Sequence, residues 1–477
     1  MEFDRSKLNG RPATEDDFTG DLKANMSRGH PYRPVDCVSI DELLSDMQLL
    51  HRVSMLRRAD RFQNGSLTLS NVKLQFKLDE QRNPCGFYTY PIYDSNRVVE
   101  ECMLLANLLV AHQCVTFCKN VALLRRHPPP NEKSMQRVAQ SCKELGFDID
   151  ASTAGTLQAS LEAYEEMFVG KVHGVNDEAC IDGKIPIRQV LEPMCTKPMT
   201  LALYFCTNET NSKDWHHFAL NFAEYTHFTS PIRRYADVIV HRVLTYSLQL
   251  EAWKAKGGVK TRPRAPPSLT PEEVVQVAEQ CNTRKANAKK CQEQSSKVYL
   301  CDYLLRCHPD VPLTSSAVIT DVFGVTGNSD QTFDIIIPHL GIEKKIHLND
   351  LIKQGKIQAG YVEPLDPPEV GKQGGKNNNN SKNNTNNKTK NNQSKASSSA
   401  SSSSSTSVPA SAPSLLAPVA KSDKRLHLTW PDGSRNCYSI FDSIDVELLV
   451  RRGPPIDVDA AVIGPLQAEE RRQKTQS

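Results

Sequence analysis

The chain has 477 residues and nearly balanced charge, with 58 lysine and arginine residues against 55 aspartate and glutamate residues. This length gives room for two or three domains and excludes a single small module. The longest apolar run, at residues 102–111, is too short to cross a bilayer, so no membrane span is expected. The first ten residues lack the basic start and apolar stretch of a secretory signal, which predicts an intracellular protein.

The net charge of +3 conceals a local bias. Residues 371–420 hold six lysines and no acidic residue, so the rest of the chain is net negative. Nucleic-acid binding would therefore need a local groove, because the overall charge does not favour it. The 14 cysteines form no C-x-x-C pair, which argues against a zinc knuckle and predicts reduced, mostly buried thiols.

The N-terminal half begins with a segment of unclear periodicity, and residues 1–38 are predicted to be poorly ordered. A long amphipathic helix is expected after Ser39, because Ser39 can cap it and apolar residues follow at helical spacing. Alternating apolar residues at 72–78 predict a strand, and a turn then leads to a second strand. Residues 96–113 predict a helix that is apolar on most of its surface and hence buried.

Three further segments follow in the chain before the C-terminal strands. "LLRRHPPP", residues 123–130, predicts a stiff extended loop, because three consecutive prolines exclude a helix. Residues 134–203 are mainly helical in pattern, and another helix is expected from about Pro271 to Cys307. The basic stretch "RKANAKK" in that last helix is interpreted as a solvated face.

"YTHFTSPIRRYADVIVHR", residues 225–242, predicts a helix that starts at Pro231 with Thr229 or Ser230 as its cap. Arg233 and Arg234 then lie at the positive end of the helix dipole, where cations are disfavoured. Asp237 lies four residues after Arg233, which is a weak orientation for an ion pair on a helix. The segment therefore predicts an anion site, although an ordinary solvated or Asp237-paired surface is the alternative.

The C-terminal part changes to short strands. Its pattern predicts one small barrel in two pieces, residues 311–366 and 421–453, separated by a disordered low-complexity insertion at 367–420. Residues 454–477 are read as a tail. The preceding ordered domain is placed at residues 39–310.

The segment 225–242 closely resembles a signature of the ribonuclease II/R (RNB) superfamily of 3′-to-5′ exoribonucleases, and "VVEECMLLAN" resembles another. "ALLRRHPPP" and "MCTKPMTLALYFCT" are most similar to a eukaryotic, cytoplasmic branch that acts on uridylated RNA. The resemblance implies an α+β fold: the C-terminal part of an RNB-type catalytic domain followed by an S1-like (OB-type) β-barrel with a disordered insertion. It also implies single-stranded RNA as the partner, with no membrane and no indication of a protein partner.

The resemblance assigns candidate roles residue by residue. It implies that Arg233 is a catalytic arginine at the phosphate under attack, and that Glu100 or Glu101 contacts the terminal ribose hydroxyls. The sequence does not decide which of the two glutamates makes this contact. A purely structural role is the alternative, because acidic residues in the first turn of a helix stabilise it without any ligand. The remaining candidates for RNA binding are Arg125, Thr229, Ser230 and Arg234.

The resemblance also implies two Mg²⁺ ions, held by aspartates in a D-P-x-x-A-x-D-x-D-D pattern. The chain does not contain this pattern, and its nearest acidic group, "TEDDFTGD" at residues 14–21, has the wrong spacing. No metal ligand is therefore assigned, and the chain is expected to be inactive alone. The alternatives are a catalytically dead RNA-binding or interaction protein, and a fragment with too little core to fold, which exposed apolar surface would support.

Overall fold

A computed structural model describes most of the chain. The described residues are 40–69, 72–169, 185–258, 261–265, 269–323, 331–364 and 424–476. The predictions for residues 1–38 and for the insertion at 367–420 lie outside them.

The helices of the described residues are, in chain order, α1 Ile40–Gln63, α2 Asp94–Cys118, α3 Glu132–Glu144, α4 Ala154–Glu162, α5 Arg188–Thr196, α6 Tyr235–Ala255, α7 Pro271–Cys307, α8 Leu348–Lys353 and α9 Pro465–Gln476. The strands are β1 Leu74–Leu78, β2 Pro84–Thr89, β3 Leu123–Arg126, β4 Phe168–Val169, β5 Ile185–Pro186, β6 Leu203–Cys206, β7 Thr314–Phe323, β8 Thr332–Ile337, β9 Ile342–His347, β10 Ala359–Pro364, β11 Lys424–Thr429, β12 Arg435–Tyr438, β13 Ser443–Arg451 and β14 Asp457–Val462. This mixture of helix and strand confirms the predicted fold class.

The longest helix, α7, begins and ends where the sequence predicted. Thr270 caps it by accepting a hydrogen bond from the backbone N–H of Glu273, whose carboxylate accepts one from the backbone N–H of Thr270 in return. With 37 residues the helix is about 55 Å long. Its N-terminal part packs in one hydrophobic core and its C-terminal part in another, so α7 connects the two.

The two cores divide the molecule. One core packs α2, β3, β6, α6 and the start of α7, with Leu124 and Val243 fully buried. The other packs α3, α4 and α5 against the end of α7 and the C-terminal sheets, with Trp430 among its largest buried side chains. These two buried clusters argue against a fragment with too little core, whereas the apolar side chains left exposed on α1 and α2 are the surface that this hypothesis predicted.

The C-terminal strands form the predicted barrel-like unit. Five antiparallel strands pair in the order β14-β13-β7-β8-β9, and β14 approaches β9, so the sheet nearly closes. A second sheet, β10-β11-β12, packs one face into the same core. The tail predicted from residue 454 is corrected at its start, because Val458, Ala460 and Val462 are buried in β14.

Three other predictions need correction. Residues 123–126 are a strand rather than a loop, since β3 pairs antiparallel with β6. The mainly helical region 134–203 also contains the short strands β4 and β5. Helix α6 begins at Tyr235 and not at Pro231, because the preceding residue, Arg234, has an extended backbone.

Helix α2 is less buried than predicted. Val99 and Leu109 are 55% and 59% exposed, and on the neighbouring α1 Leu49 and Leu56 are 60% and 70% exposed. Among the described helices α2 is the one long and apolar enough, by length and composition, to cross a bilayer, although only 22% of its most apolar window is buried. Because α2 carries a buried ion pair to α1 and packs on α6, its apolar composition is also that of a core helix.

Candidate functional site

The segment before α6 is a turn that projects two arginines. The carbonyl oxygen of Ser230 accepts hydrogen bonds from the backbone N–H groups of Arg233 and Arg234, at 3.3 and 3.1 Å. Arg234 is extended and is the N-cap residue, without a side-chain cap of its own. Neither Thr229 nor Ser230 caps the helix, so the predicted start is four residues too early.

Arg234 is held by its own chain. Its Nε and Nη2 donate to the two carboxylate oxygens of Asp237, each at 2.7 Å, in a two-pronged fork. Asp237 is fully buried and also accepts from the backbone N–H of Ser230 at 2.8 Å. The sequence had considered Asp237 as a partner of Arg233; the structure gives it to Arg234, because the residue three positions before Asp237 faces it on the turn.

Arg233 points to solvent on the same turn. It is exposed, and its side chain forms no hydrogen bond or ion pair with any residue in the described ranges. Its neighbours Ile232 and Tyr235 are also exposed, at 103% and 59%. Arg233 is therefore a cation available to an external anion.

A second cation, Arg125 on β3, lies buried beside this turn. Its exposed fraction is 7%, and its guanidinium lies 5.1 Å from the centre of the Tyr204 ring. Its Nη1 atom is buried without a hydrogen-bond partner among the described residues. Burial lowers the pKa of Arg125, and nearby Tyr204 and Tyr225 counteract this. A buried guanidinium with an unused donor is energetically unfavourable until an acceptor reaches it.

Neutral polar groups surround Arg125. The hydroxyl of Tyr204 is 2.6 Å from Nδ1 of His227, and Asn107 donates to the hydroxyl of Tyr225 at 3.0 Å. Burial, followed by repulsion from Arg125, lowers the pKa of His227 to about 2. His227 is therefore neutral at physiological pH.

A third cation comes from α7. The side-chain amide of Asn282 accepts from the backbone N–H of Tyr204 and donates to its carbonyl oxygen, both at 2.8 Å, which fixes α7 on β6. One helical turn later, Lys285 is close enough to be repelled by Arg125 and Arg234. Partial burial, followed by that repulsion, lowers the pKa of Lys285 to about 8. Residues 284–290 are all exposed, which confirms the predicted solvated face, but the lowered pKa of Lys285 could not be predicted from the sequence.

We call Arg125, Arg233, Arg234 and Lys285 together the cationic cleft; their one counter-ion in the described part of the chain is Asp237. Three positive charges are thus left over. Such an excess in a partly buried site favours a polyanion over a single carboxylate ligand.

Glu100 and Glu101 are occupied by arginines of this chain. Glu101 is 2% exposed and accepts from Nη2 of Arg61 at 2.6 Å, with Arg58 at 3.6 Å. Glu100 is 38% exposed and pairs with Arg97 at 3.2 Å and with Arg58 at 3.7 Å. No hydrogen bond or ion pair joins either carboxylate to Arg125, Arg233, Arg234 or Lys285 within the described ranges, so their contact with RNA stays a prediction. Local sequence patterns carry no signal for Arg61, which lies 40 positions away from Glu101.

The described residues do not fit a Mg²⁺ site. No three His, Cys, Asp or Glu side chains among them converge as metal ligands. The two most deeply buried carboxylates near the cleft segments, Glu101 and Asp237, are each committed to an arginine. No chemical step is therefore derived through a metal ion here.

Comparison with known proteins agrees with this architecture. Residues 14–249 match the RNB domain, and this range contains the 225–242 segment and both glutamates. The chain belongs to the RNB superfamily. It is 38% identical over 317 residues to "DIS3-like exonuclease 2" of Xenopus tropicalis, which covers 66% of this chain and 34% of the relative. It is 31% identical over 341 residues to "Inactive exonuclease DIS3L2" of Arabidopsis thaliana, which covers 65% of this chain and 30% of the relative.

A solved structure shows the same fold. RNase R of Mycoplasma genitalium, in complex with ribose-methylated single-stranded RNA, aligns with a TM-score of 0.55 and 16% identity. The alignment covers 94% of this chain and 52% of that one. The chain spans about a third of the length of the curated relatives it matches.

Proposed function

We propose that this chain is the RNA-binding portion of an RNB-type 3′-to-5′ exoribonuclease, that it holds single-stranded and in particular uridylated RNA in the cationic cleft, and that it has little nuclease activity alone. The observation that carries the binding proposal is Arg125, whose buried guanidinium has a donor without a partner among the described residues. A phosphate oxygen would satisfy that donor and neutralise the surplus charge.

The arginines of the cationic cleft differ in solvent exposure, which suggests different roles in RNA binding. Arg233, exposed at the turn, can follow a phosphate that enters from solvent, whereas Arg125 and Arg234 are fixed by Tyr204 and Asp237. Arg233 remains the candidate for the attacked phosphate, because it is the exposed arginine of the turn whose side chain is not already paired within the described residues. Arg125 and Arg234, which are held in place, act as preorganised donors to the neighbouring phosphates, with Thr229 and Ser230 on the turn beside them.

The supporting comparison for the RNA is the RNase R complex, which contains single-stranded RNA on a similar fold. The proposal of inactivity rests on the chain's own residues: the family's aspartate pattern is not in the sequence, and the described carboxylates do not form a metal site. A relative named as an exonuclease and one named as an inactive exonuclease match 66% and 65% of this chain, so similarity does not decide between a nuclease and an RNA-binding protein. A cytoplasmic location belongs to the same proposal.

The proposal is tested with purified chain and a 3′-labelled single-stranded RNA. We expect binding that weakens with added salt, and no metal-dependent release of mononucleotides when Mg²⁺ is supplied. Arg233→Ala should weaken binding and reduce the slope of log affinity against log salt by about one, because one phosphate contact is lost. The matched control is Arg242→Ala, an exposed arginine further along α6, which should leave the slope unchanged.

Two results would contradict the proposal. Release of mononucleotides with Mg²⁺ would show that the chain carries its own metal site. Identical salt slopes for Arg233→Ala and wild type would remove Arg233 from the RNA contact.

A pH titration tests Lys285. With its pKa near 8, Lys285 is largely protonated at pH 7 and largely neutral at pH 9.5, so a phosphate contact made by its ammonium is lost as the pH rises through 8. We expect affinity for single-stranded RNA to fall by up to about fivefold over that range. Lys285→Arg, which keeps its charge, should flatten the profile; an unchanged profile in this variant would exclude Lys285 as the titrating contact.

A further inference from the structure

A second candidate site lies outside the cationic cleft, on the β10-β11-β12 sheet. Tyr361, His427 and Cys437 are direct neighbours across these three strands. The rings of Tyr361 and His427 stack nearly parallel, with their centres 4.7 Å apart and their planes at 10°. The sulfur of Cys437 lies 3.8 Å from Nε2 of His427 and continues the row.

This row faces away from the core. Side chains alternate along a strand, so Leu426 and Leu428, which flank His427, point inward and are fully buried. Tyr361 is 52% exposed, whereas its neighbour Val362 is 7% exposed. The stacked pair is therefore not needed to fill the core, and about half of Tyr361 is exposed to solvent.

Two arginines share the outward face with the row. Arg425 lies two residues before His427 on β11, and Arg435 lies two residues before Cys437 on β12. Because β11 and β12 are antiparallel, the two arginines fall on opposite sides of the row, each about 7 Å along its strand. No ion pair joins either arginine to a residue whose side chain the structure describes; the side chain of Glu363, the strand neighbour of Arg425, lies outside that set.

We propose that the stacked pair Tyr361 and His427 binds one unpaired nucleobase of single-stranded RNA, with Arg435 and Arg425 beside the phosphates on either side of that base. A flat aromatic face flanked by guanidinium groups suits a nucleic-acid strand, because every base has a π-face and every linkage carries a charge. An acidic peptide would use the arginines but leave the stacked rings without a planar partner. The inference rests on the proposed RNA binding and adds a second contact outside the cleft.

The test uses two single-stranded RNAs, one of about 20 nucleotides and one of about 5, each labelled with a fluorophore. We expect Tyr361→Ala to weaken binding of the longer RNA by about tenfold and to leave the shorter RNA, which occupies the cleft alone, unchanged. Tyr361→Phe should bind the longer RNA like the wild type, because the ring is kept. Tyr90→Ala removes a tyrosine of similar exposure, 43%, and serves as the matched control.

A fluorescent base analogue, 2-aminopurine, gives an independent signal. We expect its emission to be quenched when an RNA carrying it binds the wild type, and the quenching to be lost with Tyr361→Ala at saturating protein. Equal thermal unfolding midpoints for Tyr361→Ala and Tyr361→Phe check that the alanine variant is folded.

The outcomes separate this inference from the proposed function. If Tyr361→Ala binds both RNAs as the wild type does, the stacking site is wrong and the cleft stands. If both RNAs are weakened equally, Tyr361 does not form a separate site. If the wild type binds neither RNA, the proposed function fails first, and the stacking site fails with it.

Discussion

Replacing Glu101 with alanine is expected to destabilise the protein by about 3–5 kcal/mol. Glu101 is 2% exposed and neutralises Arg61, which is 6% exposed and contacts it at 2.6 Å. Without the carboxylate, Arg61 would remain as an uncompensated charge between α1 and α2, and Arg58 would lose a neighbour as well. The free energy of unfolding, measured by urea titration followed by circular dichroism, reports the change.

Glu100→Ala is the matched control. Glu100 is adjacent in sequence and also pairs with arginines, but its side chain is 38% exposed, so the loss should be below about 1 kcal/mol. Similar unfolding free energies for the two variants would show that the ion pair to Arg61 does not stabilise the α1–α2 contact. The comparison also tests the role that the sequence left open, because a glutamate kept for an RNA hydroxyl would affect RNA binding without a large loss of stability.

The second large effect is expected for Arg125→Met. Methionine has a similar length and no charge, so the variant removes a desolvated guanidinium with an unused donor and should unfold at the same or a higher temperature. Affinity for single-stranded RNA should nevertheless fall by about 10- to 100-fold, because a charge-assisted phosphate contact is lost. A ligand-binding cation is recognised when its replacement leaves protein stability unchanged or higher but lowers RNA affinity, whereas replacement of a structural cation lowers stability.

Arg126→Met is the control for that variant. Arg126 is the next residue on β3 and also has a buried donor atom, Nε, without a partner among the described residues, but it points to the other face of the strand and lies 5.4 Å from the ring of Phe205. We expect it to bind RNA like the wild type. A strong loss of stability in Arg125→Met, with RNA affinity unchanged, would instead make Arg125 part of the core.

The turn before α6 shows how local and tertiary information divide. The sequence placed Arg233 and Arg234 together at the N-terminal end of a helix. The structure also places them there, although the helix begins at Tyr235, four residues later than predicted. The sequence could not say which arginine has a partner, because one residue of difference in where the helix starts changes which side chain faces Asp237. The buried carboxylate selects Arg234, and Arg233 is left in solvent.

Lys285 illustrates a feature that the pattern concealed. In sequence it belongs to a basic run that is typical of a solvated helix face. Its altered pKa arises because α7 is fixed on β6 by Asn282, which brings Lys285 towards Arg125 from a strand 160 residues earlier in the chain. No periodicity within α7 carries that information.

The sequence alone determined what depends on neighbouring residues: the approximate bounds of α7 through helical spacing, the short strands of the C-terminal unit, and the RNB signature. Only the tertiary structure decided which charges are neutralised, with Glu101 given to Arg61 and Asp237 to Arg234 while Arg125 is left buried and short of an acceptor. The reason is physical: helix caps and strand alternation are set within a few residues, whereas desolvation and ion pairing depend on which distant segments the folded core brings into contact.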